Sequence, residues 1–331
     1  MAGRPASKRY IVEPAEILPV ERVRTEKWTS FELSKHLVET DDVTAIKFLA
    51  KRGLIHAFHR CPSCDDLCGL TQYAQGVDGQ RWRCRDCNHT KSIRHGSFFA
   101  KSHLSLRQML FFIYFWCQDT PNSFITHELN ISRRVVIDFA NFCREICVNW
   151  IDMNPAHLGG LNDDLTPKVV EVDESKFFHR KYGRGTWHEG HWVFGAVDRE
   201  NSKNIFLAEV PDRSSHTLIP IIEAHVELGS HIMSDGWRSY RELRNSNMGY
   251  LHDFVNHSEN FVAPEDPFVH TQTIEGLWTH AKKKLRRISG TNRSLFVSYI
   301  REFEWRWRNG GPNWRESVFS KFLASLREQY A

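Results

Sequence analysis

The sequence predicts an α/β protein whose C-terminal half is a mixed sheet flanked by helices, preceded by a small metal-held ribbon and a helical region. Three observations carry that prediction. Strand-like runs begin at Val169 and then alternate with helical segments in the order β-β-β-α-β-α-β-α-α. Two Cys-x-x-Cys pairs, Cys61/Cys64 and Cys84/Cys87, stand nineteen residues apart. Between residues 104 and 150 the apolar residues recur at helical spacing. With 331 residues there is length for two or three domains, and 41% hydrophobic with 25% charged residues excludes a disordered chain. The net charge of +4 is mild, but the cations are clustered, which points to an anionic partner, nucleic acid first.

In chain order, residues 1–28 read as a flexible basic arm, in which Gly3-Arg4-Pro5 is a weak minor-groove signal. Residues 29–56 hold two short amphipathic helices, the first capped by Thr29 and Ser30 and the second ending at Gly53. Residues 57–100 are the ribbon. Each Cys-x-x-Cys turn aims two thiolates at one tetrahedral ion, so Cys61, Cys64, Cys84 and Cys87 are the expected ligands of one structural Zn2+, with Cys68 and His89 as nearby alternatives. Four cysteines close the coordination shell and leave the ion no catalytic position. Arg81, Arg83, Arg85 and Lys91 give the ribbon a basic surface.

Residues 101–150 form a helical region in which a short helix, the turn Asn130-Ile131-Ser132 and a longer helix have helix-turn-helix form. Arg133 and Arg134 begin the second helix, the end that would enter a major groove. Asn130 stands where a glycine is usual and tolerates the positive φ required there. Cys117, Cys143 and Cys147 lie among apolar residues and read as core. Residues 151–168, with Pro155, Gly159-Gly160 and Pro167, read as a linker, and 169–331 as one domain. Its expected strands are 169–173, 191–197, 204–210, 231–235 and 251–255, and its expected helices 215–228, 240–245, 270–287 and 294–308.

Two acids end strands there, Asp173 and Asp235, and Gly236 after the second permits close approach of a ligand. A third, Glu275, lies beside the apolar stripe Ile274, Leu277, Trp278, Ala281, Leu285 and Ile288 of a helix that ends in a dense basic run. Three converging carboxylates would hold two Mg2+ or Mn2+ ions, hard cations that clamp the attacking and leaving oxygens of a phosphodiester. Glu171, Glu174, Asp198 and Asp253 compete for the same role, although Asp198 fits a turn better. Cations placed to hold DNA phosphates are Lys282, Lys283, Lys284, Arg286 and Arg287, with Lys181 and Arg184 in a basic, glycine-containing hairpin. His257 is a candidate auxiliary group. Trp305, Trp307 and Trp314 beside Arg301, Arg306 and Arg308 offer base stacking, though most of that set falls on a core-facing stripe.

The motifs VDES at 172–175, SDGW at 234–237, NHSENFV at 256–262, HTQTIEGLWTHAKKKLRR at 270–287 and the later GTNRSLFVSYIREFEWRWR resemble the Merlin-type DDE transposases and their bacterial insertion-sequence relatives. The resemblance spans roughly 169–308. It implies an RNase H-like catalytic domain with Asp173, Asp235 and Glu275 as the acid triad. It also implies a double-stranded DNA substrate, the terminal inverted repeats of a mobile element and its target, and at least a homodimer to bring two ends together. Two other readings use the same residues: a transposase-derived DNA-binding protein that no longer cuts, and a nuclease that does not join strands. No run of eighteen apolar residues occurs and the N-terminus lacks the apolar core of a signal peptide, so an intracellular protein without membrane contact is expected, nuclear in a eukaryote.

Overall fold

The computed structural model describes residues 8–38, 42–178, 190–244, 248–255, 268–288 and 293–330. They divide into two compact units, Met1–Ile146 with Arg315–Ala331, and Cys147–Trp314. Among the described residues no helix is long and apolar enough to cross a membrane.

The first unit begins with helix α1 (Val20–Thr25), which lies inside the stretch expected to be a flexible arm. Helices α2 (Ser30–Val38) and α3 (Asp42–Lys51) follow as anticipated. Thr29 and Glu32 cap α2 reciprocally, the Glu32 amide donating to Thr29 Oγ1 at 3.2 Å and the Thr29 amide to Glu32 at 3.0 Å. Strands β1 (Gly69–Gln72), β2 (Gln80–Arg83) and β3 (Thr90–Ser92) make a small antiparallel sheet. Helices α4 (Leu106–Cys117), α5 (Asn122–Leu129) and α6 (Arg133–Met153) complete the chain-order run, and Asn130 has φ 47°, the left-handed conformation that ends α5. Cys117, Cys143 and Cys147 are buried. A helix absent from the sequence reading, α10 (Val318–Tyr330), packs on α1 and α4. The chain beyond Arg315 therefore belongs to this unit, which corrects the assignment of 169–331 to one domain.

The second unit contains the stretch expected to be a linker, which instead supplies β4 (Leu158–Gly159), paired in parallel with β8 (Val226–Glu227). Its main sheet is built from β5 (Val169–Phe177), β6 (His191–Asp198), β7 (Ile205–Val210), β9 (His231–Asp235) and β10 (Leu251–Val255) in the spatial order β10-β9-β5-β6-β7. The pairs β5–β6 and β6–β7 are antiparallel, and β5–β9 and β9–β10 parallel. Helix α7 (Ser215–His225) and a 3-10 helix at Arg238–Arg244 cover one face. There Val170, Val172, Phe194, Ala196, Leu218, Ile222, Ile232 and Tyr240 form a continuous core. Helices α8 (Gln272–Arg287) and α9 (Phe296–Gly310) pack on β5, β6 and β7. Because side chains alternate along a strand, Glu171 and Asp173 project away from the core of Val170 and Val172, toward α8.

Candidate active site

Asp173 is not at a strand end. β5 continues to Phe177 because β6 supplies a ladder along its whole length, through Phe177 opposite His191. The ladder on the other side stops earlier, at Glu171 opposite Met233. Two residues past that pair, on the same strand face, lie Asp173 in β5 and Asp235 in β9. Both acids follow the point where the parallel ladder stops.

The third acid arrives on α8. Glu275 occupies the helix's first turn, half-buried, and Thr271 Oγ1 donates to its Oε1 at 3.4 Å. One turn on, Trp278 Nε1 donates to Asp173 Oδ2 at 3.0 Å, which fixes the helix against the strand that carries the first acid. Trp278 fits because Gly195, the residue paired with Asp173 across β6, has no side chain. A Cβ there would lie 2.6 Å from the indole ring.

Asp235 Oδ1 accepts from the Trp237 amide at 2.9 Å, and its Oδ2 lies 3.7 Å from Arg213. Burial, then Glu174 and then Asp235 push the Asp173 carboxyl up to about 7, the behaviour of an acid held among acids. An all-oxygen donor set in that condition suits a hard divalent cation. The three carboxylates are not gathered tightly about one point: among the described residues only the four cysteines form a group with ligand atoms all within 4.8 Å of one another. Two ions spaced by ~4 Å would require that wider arrangement of ligands.

The competing acids have other partners. Glu171 is fully buried and accepts from Arg199 Nε at 2.9 Å, Thr273 Oγ1 at 2.8 Å and the Ile274 amide at 3.0 Å. Glu174, on the opposite face of β5, is held by Arg213 at 2.6 Å and by the Tyr240 hydroxyl, with burial raising its pKa. Arg213 lies between the rings of Trp192 and Trp237, 4.9 and 4.3 Å from their centroids. Asp198 Oδ1 accepts from the Glu200 and Asn201 amides in the expected turn, and Asp253 pairs with His231 at 2.7 Å. Sequence reasoning missed Trp278, Gly195, Arg199 and Arg213. A glycine inside an apolar strand was the one available signal, since it marks a close approach.

In the ribbon, Cys61, Cys64, Cys84 and Cys87 are the four that converge. Cys68 and His89 are not in that group; the His89 ring stacks on His59. Arg133 and Arg134 are exposed at the start of α6. Along α8, Lys283, Arg286 and Arg287 are exposed and Lys282 is half-buried with its amine 5.6 Å from the Phe177 ring centroid. Lys284 is a correction: it is buried and pairs with Glu302 at 3.0 Å. Trp305, Trp307 and Trp314 are buried, and Arg306 is buried against Glu302, so this set is core and not a stacking platform. Lys181, Arg184, His257 and the Gly3-Arg4-Pro5 segment lie outside the described residues.

Fold and site together define a mixed α/β domain with carboxylates on the sheet face that α8 covers. The family of ISXO2-like transposase domains matches residues 166–308. An uncharacterized transposase-like protein of Haemophilus influenzae is 33% identical over 119 residues, covering 36% of this chain and 93% of that protein. An uncharacterized protein in the transposable element ISH50 of Halobacterium salinarum is 24% identical over 268 residues, 74% of this chain and 84% of the other. A crystal structure of a pre-cleavage Mos1 transpososome matches 61% of this chain and 75% of the other at 13% identity, with a TM-score of 0.21, too low to carry weight. The chain belongs to the ISXO2-like transposases, of the insertion-sequence DDE type.

Proposed function

We propose that the second unit is an RNase H-like catalytic domain that cleaves phosphodiester bonds at the ends of a mobile element and transfers the freed 3′-hydroxyls to target DNA. Asp173, Asp235 and Glu275 are the residues that would hold two Mg2+ or Mn2+ ions, which supply a nucleophilic water and neutralise charge developing on the leaving oxygen. One observation carries the reading: Asp173 and Asp235 each lie two residues past the last pair of the parallel β5–β9 ladder, and the helix bearing Glu275 is hydrogen-bonded through Trp278 to Asp173. The strand order, with its antiparallel second strand, supports the RNase H-like assignment.

The chain's own groups have separate tasks. The strand register sets the spacing of the two aspartates, and Thr271 and Trp278 orient Glu275 and Asp173. Lys282, Lys283, Arg286 and Arg287 hold phosphates flanking the cut; they add affinity but carry no sequence information. Lys181, Arg184 and His257 keep their proposed roles as phosphate contacts and auxiliary group. Helices α5 and α6, with Arg133 and Arg134, read the terminal inverted repeats in a major groove. The ribbon, closed by one Zn2+ on its four cysteines, is a folding unit. At least two copies act together, since two ends must be synapsed, and the relation to Merlin-type enzymes is part of the same reading.

The deciding experiment incubates the full chain with repeat-bearing DNA and Mg2+ beside Glu275→Gln. Cleavage followed by joining in the wild type, and neither in the variant, is expected. Equal cutting by both would sink the triad assignment.

A further inference from the structure

The first turn of α8 has an unusual arrangement. The N-cap residue Thr271 makes no side-chain bond to the helix's own amides; its hydroxyl goes to Glu275. The orphan amides of a helix N-terminus still require acceptors. The Ile274 amide finds one in Glu171, from a strand 103 positions away in sequence, and Thr273 Oγ1 adds a second bond to the same carboxylate. The other side of that carboxylate is held by Arg199, whose two terminal nitrogens donate to the carbonyls of Phe268 and His270 at 2.7 Å each. Glu171 and Arg199 thus bind both the start of α8 and the residues that lead into it.

We propose that Glu171 is a positioning residue for the acid triad, acting as the external cap of α8 and setting where Glu275 stands relative to Asp173. The inference rests on the catalytic reading above. Glu171 lies two residues before Asp173 on the same strand face, and Ile274 immediately precedes Glu275, so one carboxylate ties the strand of the first acid to the helix of the third. Both Glu171 oxygens are engaged by donors, which removes it from the set of metal ligands and gives it the second tier of partners that orients such ligands. A buried ion pair serving stability alone would need Arg199, but not a bond to a helix amide adjoining the site.

The test uses the full chain, with the added divalent ions removed and zinc retained. Hydrogen exchange of peptides covering 268–280 and Mn2+ binding by calorimetry are measured for wild type, Glu171→Gln, Thr273→Val and Glu275→Gln. Glutamine cannot accept from both Arg199 and Ile274 as the carboxylate does. Glu171→Gln is therefore expected to exchange at least ~10-fold faster around 272–276 and to bind Mn2+ ~10-fold more weakly. Thr273→Val, which removes one donor and keeps the shape, should move both quantities the same way by less, and it carries the test if Glu171→Gln does not fold. Faster exchange with wild-type Mn2+ affinity would reduce Glu171 to an ordinary helix cap and overturn the proposal, as would unchanged exchange. Wild-type Mn2+ binding by Glu275→Gln would instead strike the catalytic reading, while the exchange data would still report on the cap.

Discussion

Replacing Gly195 with alanine adds one methyl group at the point where the strand carrying Asp173 meets the helix carrying Glu275. The new Cβ would lie 2.6 and 2.7 Å from two carbons of the Trp278 ring and 3.1 Å from Leu207 Cδ2. Carbon atoms pack at ~3.5–4.0 Å, so the shortfall is about 1 Å. The strand cannot give way, because Gly195 is laddered to Asp173 on one side and Leu207 on the other. The indole must move, and a shift of about 1 Å takes its 3.0 Å bond to Asp173 out of hydrogen-bond range. Overpacking costs ~1–3 kcal/mol and loss of a hydrogen bond to a charged group ~1.5–3 kcal/mol, giving roughly 2–5 kcal/mol together if partly overlapping. For a unit of this size that is a fall in Tm of about 5–15 °C. Calorimetric melts of the wild type, Gly195→Ala, Trp278→Leu and the double variant isolate the contact. The smaller leucine makes room for the methyl group, so the double variant should be more stable than the sum of the two losses by ~1–3 kcal/mol. Losses that add to within ~0.5 kcal/mol would refute the steric account and with it the claim that Gly195 seats Trp278 on Asp173.

Acidity gives a second expectation. Asp173 is raised from 3.8 to about 7, so between those values the folded chain without divalent ions keeps a proton that the unfolded chain releases, and stability falls as pH rises through that window. The penalty, roughly 4 kcal/mol at most, is complete above about pH 7 and absent below about pH 4. Asp173→Asn, freed of divalent ions, should therefore melt above the wild type at pH 8 and lose that advantage by pH 4; melts that differ equally at both would count against it. The basic run of α8 should divide by side-chain direction. Lys283→Ala, Arg286→Ala and Arg287→Ala should each weaken DNA binding with a salt slope lowered by ~0.9 and leave the melt unchanged. Lys284→Ala should lower the melt by ~1–3 kcal/mol, since Glu302 loses a buried partner, and leave the slope alone. A salt slope that drops for Lys284→Ala as it does for Lys283→Ala would show that the inward placement is wrong.

The candidate acids were legible in the sequence because each lies in a local pattern: an apolar strand ahead of Asp173 and Asp235, and an amphipathic helix around Glu275. The pattern could not give the register of β5 on β9, which puts both aspartates two residues past the last pair of that ladder. It also ended β5 too soon, because the polar residues after Asp173 look like a turn until β6 is seen to supply their hydrogen bonds. Lys284 shows a different limit. In sequence it belongs to a basic run and so reads as solvent-facing, although seven residues after Leu277 it stands beside the apolar stripe; its acceptor Glu302 is on α9, and no local pattern reveals that pairing.

The most instructive case is Glu171, in phase with Asp173 and thus, from sequence alone, an equal claimant to be a ligand. What separates the two is how their oxygens are occupied. Glu171 is held by donors from two segments of chain, Arg199 and the start of α8, whereas Asp173 has the Trp278 indole N–H, the Glu174 amide and acidic neighbours. A carboxylate already satisfied by fixed donors gains little from a cation, and one crowded by other acids gains much. Neighbouring acids on one strand face are thereby given different surroundings by the donors that the fold brings to them, which is why the proposed ligand is Asp173 and not Glu171.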